Sequence, residues 1–581
     1  LYAMSDEGLG VFNGKDRPDF ATAWNFYEKG LQFNNSINLD DTVKSNENFY
    51  IGKQWEGVQA NGLPTPQFNI IKRVVGFTTA TITTDNIKVN ATLLNKTARA
   101  DDFVEPVRII NDEFEFLTEM NDIPALMREF TRNAAVDGDG CMYTYWDESI
   151  EAGNGVKGGI KTEIVPNTRV FFGNPNDRDV QSQPYIQIST REIVRRAKRR
   201  AKANKIADWQ NIIADCDSAT ATDSVKRTDD KVTTILTMWR DEETSEIWAY
   251  ESTQNCDIKK PWSLGIKLYP ICWLSWDYIQ DCYHGQAMIT GLIPNQIFIN
   301  KAFAMSMLSM MRSAWPKYVY DRTRIKNWDN RVGGAIGVAG GDINSVAKAI
   351  DPASISPQIA QFIELAITKT EESLGATSVA LGDTRPDNTS AIIALQRAAA
   401  TPSEMTKQNL YQAIESLFRI YLEFIGENYG KRTVDMETPD ELLPVYTAVN
   451  QPLPEKIPVE FDFKFIKENP WLLKLDVGAS SYYSEIASIQ TLENALMNGH
   501  MTFLQFLERI PDDYMPKRRA LIAELKAQQA APALPPAQQA AQGGNVVPNT
   551  EQPMNSDIPT GGGYGNLQRA INQAGSTEGM I

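Results

Sequence analysis

The side chains best suited to chemistry are few in this chain. It holds two histidines, His284 and His500, far apart in sequence. A zinc site built on several histidines, or a histidine-based acid-base centre, is therefore nearly excluded. The five cysteines, Cys141, Cys216, Cys256, Cys272 and Cys282, are an odd number with no CxxC pair. That argues against a disulfide framework or a zinc ribbon and fits folding in a reducing cytoplasm. Residues 137–140 read DGDG, but a calcium loop needs DxDxDG spacing and a distal bidentate glutamate, so a helix-to-strand turn is the better reading. Residues 333–341 read GGAIGVAGG with no GK[ST] behind them, which excludes a phosphate-cradling Walker A loop and points to a hairpin turn. With neither a Walker A lysine nor a compact carboxylate cluster, the chain does not read as an enzyme, and no metal or cofactor is expected.

Charge narrows the field further. Lys and Arg number 57 against 73 Asp and Glu, a net charge of −16, so the surface as a whole repels nucleic acid and anionic membrane. Any contact with DNA must be local or loose. One segment runs against this balance: REIVRRAKRRAKANK, residues 191–205. As a helix it places Arg191, Arg195 and Arg199 on one face at i, i+4 and i+8, with only Ile193 and Val194 as apolar footing. Two readings stand here, a solvated face or a docking patch for an acidic partner or nucleic acid.

The elements that must carry these residues follow from patterning. The hydrophobic share of 42% and charged share of 22% are those of a globular protein, and a length of 581 residues suggests about four folded units. Residues 1–60 space Trp24, Phe26, Tyr27, Tyr50 and Trp55 as anchors of an outer arm or short helices. Residues 68–89 begin helix-like and continue β-branched. Helices are expected over 101–120 and from Asp122, with Pro124 in the first turn, to about Ala135. Residues 154–190 and 232–276 are β-rich. Residues 286–313 are apolar on nearly every side, so a helix there must be covered all round. Pro294, Asn295, Gln296, Asn300, Lys301 and Arg312 make it too polar for a bilayer span. Along it Ala302, Ser306, Ser309 and Ser313 form a small-residue stripe that admits another helix, while Met305, Met307, Met310 and Met311 fill the other faces as core.

A further helix is expected from Ser356 to Gly375 with Ile359, Phe362, Ile363 and Ala366 on one face. Another runs over 390–427 with Leu410, Ile414, Leu417, Tyr421 and Ile425 as its stripe and a kink near Pro402. Residues 457–466 alternate as a strand, and a helical C-terminal unit breaks near 499–502 and at Pro511. From about Gln528 the chain is Ala, Gln, Pro and Gly, too poor in apolar pattern to order itself alone. No secretory leader opens the chain, and its start at Leu1 reads as trimmed.

The order of these parts resembles the portal proteins, or head-to-tail connectors, of tailed bacteriophages, over roughly residues 45–527. HGQAMITGLIPNQIFINKAF, with Gln296 and Asn300, looks like the segment leading into the first stem helix. SAWPKYVYD resembles the exit into the clip, and 356–374 the returning stem helix. LGDTRPDNTSAIIALQRAA is similar to a tunnel loop leading into the long wing helix, and SYYSEIASIQTLENALMNGHMTFLQFLERIPD to crown helices.

The resemblance implies an α+β, mainly helical portal fold with wing, stem, clip and crown, assembled as a ring. Its parts would be 1–285 as the N-terminal wing with its outer arm, 286–313 as stem helix 1, 314–354 as the clip and 355–375 as stem helix 2. The tunnel loop would be 376–389, the wing's kinked helix and strand 390–474, the crown 475–527 and a low-complexity tail 528–581. It also implies a homo-oligomeric ring, usually a dodecamer, at one capsid vertex of the virion, assembled in the host cytoplasm. Double-stranded DNA would be pumped through it by the terminase large subunit and would later leave. Major capsid protein, scaffold and neck, adaptor or tail proteins would be the other partners, with no membrane.

On that map Asp383, Arg385 and Asp387 would meet DNA in the tunnel loop. Lys317, Arg322, Arg324, Lys326 and Arg331 would dock terminase from the clip, and Ala302, Ser306, Ser309 and Ser313 would pack subunits in the stem. Another ring-forming virion protein, a neck adaptor or tail tube, is the competing reading.

Overall fold

The computed structural model describes residues 18–59, 62–84, 87–93, 104–151, 157–215, 231–314, 317–328, 336–340, 342, 346–350, 357–372, 404–437, 456–477, 482–510, 521, 522 and 525, and every structural statement below concerns these. The chain divides into two compact units, Leu1–Phe506 and Leu507–Ile581. Length alone suggested about four; the largest buried apolar cluster of the first unit gathers residues as far apart as Ile70 and Leu473.

Helix α1 (Phe20–Ser36) begins where the Asp19 carboxylate accepts the Ala21 N–H at 2.6 Å. Its aromatics anchor it: Phe26 stacks on Tyr185, and Tyr27 meets Phe171 edge-on. Helix α2 (Leu39–Ile51) follows. Helix α3 (Ile70–Thr83), capped by Asn69 on the Lys72 N–H, contains the β-branched run that by propensity alone favours a strand. It stays helical because Ile71, Val74, Val75, Thr78 and Ile82 bury one stripe, while Thr78, Thr81 and Thr83 return their hydroxyls to carbonyls four residues back.

After β1 (Ile87–Leu93) come α4 (Val104–Met120) and α5 (Ile123–Asp137). The DGDG turn is then a helix stop. Gly138 sits at φ +101, and a Cβ there would come within 2.6 Å of the Gly285 carbonyl oxygen, so only glycine fits.

The antiparallel strands β2 (Asp139–Glu151), β3 (Lys157–Ile164) and β9 (Ile271–Ser275) form a sheet in the order β3-β2-β9. Strands β4 (Val170–Phe172), β5 (Tyr185–Ile193), β6 (Lys231–Arg240), β7 (Ile247–Ser252) and β8 (Asp257–Ser263) form a five-stranded sheet in sequence order. Helix α6 (Val194–Ala203) leaves the end of β5 directly. The chain continues through α7 (Met288–Ala314), the hairpin strands β10 (Lys317–Tyr320) and β11 (Ala347–Ile350), α8 (Pro357–Glu372) and α9 (Glu404–Asn428).

All five stripe residues of α9, Leu410, Ile414, Leu417, Tyr421 and Ile425, are at most 2% exposed. The Tyr421 hydroxyl reaches the first sheet at Thr162, 2.7 Å away, and Thr162 in turn meets Thr144 across the strand pair. The kink expected near Pro402 lies outside the described residues.

Strands β12 (Lys431–Glu437) and β13 (Lys456–Asp462) pair with each other. The strand expected over 457–466 ends at Asp462, whose carboxylate accepts the Lys464 N–H at 3.1 Å and turns the chain into the short helix α10 (Phe465–Glu468). Strand β14 (Trp471–Val477) pairs antiparallel with β1, Ile87 opposite Val477, and so runs unbroken across the 474/475 boundary drawn from sequence. Helix α11 (Tyr482–Met497) and α12 (Phe503–Arg509) follow. Between them Thr502 and Gln505 exchange side-chain and backbone hydrogen bonds as a capping box, in agreement with the break expected at 499–502.

Candidate functional surfaces

Helix α7 spans 27 residues, about 40 Å at 1.5 Å per residue. Its first half buries one face, with Ile289, Leu292, Gln296, Ile299 and Asn300 each at most 5% exposed, but the cover expected all round is missing at Phe298, which is 49% exposed. The Gln296 side-chain carbonyl accepts the Ile70 and Ile71 N–H groups at 3.2 and 3.4 Å at the start of α3, where the first helical N–H groups have no partner within the helix. Its amide donates to the Phe68 carbonyl at 2.6 Å and to Asn300 Oδ1 at 2.9 Å, and Asn300 donates to Gln54 Oε1 at 2.6 Å. Apart from the Gln296–Asn300 bond within α7, these links join the helix to Phe68, the start of α3 and Gln54.

The second half of α7 differs. Ala302 is buried, Ser306 and Ser309 are half-buried, and the Ser306 hydroxyl donates to the Ala302 carbonyl. Ser313 lies in the helix, but its side chain is outside the described set. Met305, Met307, Met310 and Met311 are 61%, 40%, 63% and 60% exposed, so the expected core role of these methionines does not hold within one chain. Helix α8 lies against α7. It buries Ile363 and Thr370, and Glu371 pairs with Arg73 of α3 at 3.2 Å. The face expected from sequence splits in two: Ile363 turns inward, while Ile359 and Phe362, with Leu365, remain 43%, 65% and 52% exposed. No sequence rule could tell the two apart, because both sides of α8 are apolar.

The hairpin beyond α7 pairs Lys317 with Ile350 and Tyr320 with Ala347. Ile325 and Val346 are buried in it, and Tyr320 stacks on Trp328 with centroids 5.0 Å apart. The Asp321 carboxylate accepts the Thr323 hydroxyl and N–H, which holds it below the usual carboxylate range, and it also faces Arg324 at 3.6 Å. Arg324 is therefore half-buried and paired, while Arg322 and Lys326 stand exposed. Lys317 is placed in β10 by its backbone alone, and Arg331 lies outside the described residues. Of GGAIGVAGG, residues 336–340 are described and the rest lie outside the described residues. β10 and β11 are separated by 321–346, and residues 336–340 carry no strand, held instead by the Ala339 N–H on the Arg324 carbonyl. Asp383, Arg385 and Asp387 also lie outside the described residues.

The basic segment is helical only from Val194. Arg191 belongs to strand β5, opposite Thr233 of β6, so it does not share the helix face with Arg195 and Arg199. Ladder pairing through Ile193 overrode the helical spacing of the three arginines. Of the expected footing, Val194 packs against the cluster beneath the helix while Ile193 is exposed, and Ala197 and Ala201 are fully buried against Val232, Cys256 and Ile258.

Arg200 turns to the sheet, bonding Glu192 at 3.0 Å and Glu251. Burial raises the Glu251 carboxyl above its ordinary range, and Arg200 pulls it part of the way back. Arg196 lies 3.6 Å from Glu192, and Lys202 sits over the Trp209 ring at 5.6 Å. Arg195, Arg199 and Lys202 point outward and are exposed. Glu192 and Glu251 lie 59 positions apart in sequence, so their shared hold on Arg200 had no local signature.

A buried node around His284 was equally unreadable. Asp139 accepts from Ser275 at 2.7 Å and from the Gly285 N–H at 2.8 Å, and lies 2.8 Å from His284 Nδ1. The aspartate stands between serine and histidine, so no nucleophile–base pair exists here. Tyr283 and Trp273 close over the imidazole, and the node ties β2, β9 and the start of α7 together.

Helices α7 and α8 lie against each other, with the β10–β11 hairpin between them in sequence. Residues 190–464 match the family model of the phage P22-like portal proteins. The matched stretch contains α6, α7, the hairpin, α8 and α9. No curated protein matches the chain. The family is a structural one of phage virions, and no described helix is long and apolar enough to cross a membrane.

Proposed function

We propose that this chain is the repeating subunit of a closed portal ring at one capsid vertex, a channel through which terminase packages double-stranded DNA and through which the genome later leaves toward the neck or tail. The observation that carries this reading is the unpartnered apolar side of α7 and α8. Met305, Met310, Met311, Phe362 and Leu365 stand in water in a single chain. Full burial of side chains of this size is worth about 1.5–3 kcal/mol each, and identical neighbours in a ring supply that cover repeatedly. A dodecamer is the expected count. On this reading 286–313 and 355–375 are the stem, 314–354 is the clip and 376–389 is the tunnel loop, with 475–527 as the crown.

Within the clip, Arg322 and Lys326 face terminase, since Arg324 is engaged by Asp321. In the tunnel loop Arg385 touches passing phosphates while Asp383 and Asp387 keep the contact weak. The net charge of −16 suits a conduit, because neutralising many phosphates at once would hold the DNA still. Negative-stain electron microscopy of the purified protein tests the reading: flanged rings with a central channel are expected, and monomers under every assembly condition would overturn it.

A further inference from the structure

Helix α6 presents a surface that the channel role does not use. Its rear is occupied: Ala197 and Ala201 are buried in the sheet, and Arg200 is neutralised by Glu192 and Glu251. Its front is a stripe of cations. Arg195, Arg199 and Lys202 fall at i, i+4 and i+7, opposite the two buried alanines, with Lys198 beside them. The stripe spans about 10 Å at 1.5 Å per residue, and one DNA strand advances about 3.4 Å along the axis per phosphate, so it matches about three successive phosphates.

The chemistry of this face selects among anionic partners. A protein interface needs an apolar or aromatic anchor at its centre, and between Val194 and Ala203 this face has none. Single-stranded nucleic acid needs free rings for base stacking, and the neighbouring Trp209 is already covered by Lys202. Guanidinium groups on a helix fixed rigidly to a sheet fit phosphate oxygens of a regular backbone. We propose that the outward stripe of α6, Arg195, Arg199 and Lys202 flanked by Lys198, holds the phosphate backbone of a double-stranded nucleic acid. The inference is drawn from one chain and does not depend on ring formation. In a chain of net charge −16 the binding is local and strongly salt-dependent.

The test is fluorescence anisotropy of a labelled random-sequence DNA duplex with the full chain between 50 and 200 mM salt. Four phosphate contacts give a log–log slope of about −3.6, a loss of about 150-fold over that range. The triple variant Arg195→Gln, Arg199→Gln, Lys202→Gln should lose at least tenfold in affinity at 50 mM and flatten to a slope of about −0.9, one contact. Its fold is checked by circular dichroism. A control variant, Lys29→Gln, Lys44→Gln, Lys464→Gln, removes the same charge from scattered exposed sites and should bind nearly as wild type. Equal losses in the two variants, no duplex binding at 50 mM, or tighter binding of polyglutamate than of duplex would each overturn the proposal.

Discussion

The two halves of α7 are built by opposite rules. From Met288 to Asn300 the helix buries Ile289, Leu292, Gln296, Ile299 and Asn300 against its own chain, and even its amides are spent on the Phe68 carbonyl and on Gln54. From Ala302 to Met311 it carries comparable apolar content, yet four methionines lie in solvent, alongside Phe362 and Leu365 of α8. In the proposed ring, the difference means that one half is fixed within the protomer and the other waits for a neighbouring copy. Hydrophobic composition does not separate the two. What separates them is the polar pair Gln296 and Asn300, which only a fixed intramolecular partner can satisfy.

Breaking the enclosed half should cost the most. Gln296→Ala leaves the Ile71 N–H and Asn300 Oδ1 without the Gln296 partner and takes one of two partners from the Ile70 N–H and the Phe68 carbonyl, which keep each other, and a buried group left unpaired costs about 1–3 kcal/mol. The expected loss is about 2–4 kcal/mol, read by chemical denaturation, and an unchanged midpoint would mean that water replaces the side chain.

The enclosed region also contains a carboxyl that titrates out of its ordinary range. Burial pushes Glu113 of α4 up to about 7, against the opposing hydrogen bond from the Tyr429 hydroxyl and the charge of Arg432. The folded chain thus retains a proton at pH values where the unfolded chain has lost it. The stability this group contributes is complete below about pH 4.5 and is lost as pH rises through about 7. Glu113→Gln should flatten that fall, with a gain on the order of 3 kcal/mol at pH 8 as an upper bound. Parallel pH profiles of Tm for the two proteins would refute it.

The sequence made the long elements legible. The α9 stripe, the α5 start at Pro124 and the length of α7 all follow from 3.6-residue spacing, because each helix buries a continuous face. It failed where two elements compete or meet from far apart. Arg191 reads as helical by spacing, yet ladder pairing of Ile193 with Lys231 keeps it in a strand. The strand expected to reach 466 stops at the Asp462 turn. Asp139 and His284, or Glu192, Arg200 and Glu251, join across chain distances that no local pattern encodes. Along the second half of α7 the exposure of the methionines was not legible, since exposure is a property of the folded chain.

Smaller effects sharpen the open half. Ser309→Trp inserts bulk into the half-buried stripe of α7 and should cost about 1–3 kcal/mol per site, measured as a lowered ring dissociation temperature. If only monomer stability falls, the stripe faces α8 of the same chain rather than a neighbour. Least of all in stability, Arg322→Glu with Lys326→Glu changes two exposed hairpin cations. Rings and melting should stay as in wild type while DNA packaging is lost, and normal packaging would remove these residues from terminase docking.

The most direct test of the central claim is native mass spectrometry of Phe362→Lys with Leu365→Lys beside wild type. Both side chains are more than half exposed in the protomer, so the monomer should melt as wild type does. The account predicts a closed homo-oligomer for wild type and monomers for the variant. A variant that assembles as wild type does would contradict it.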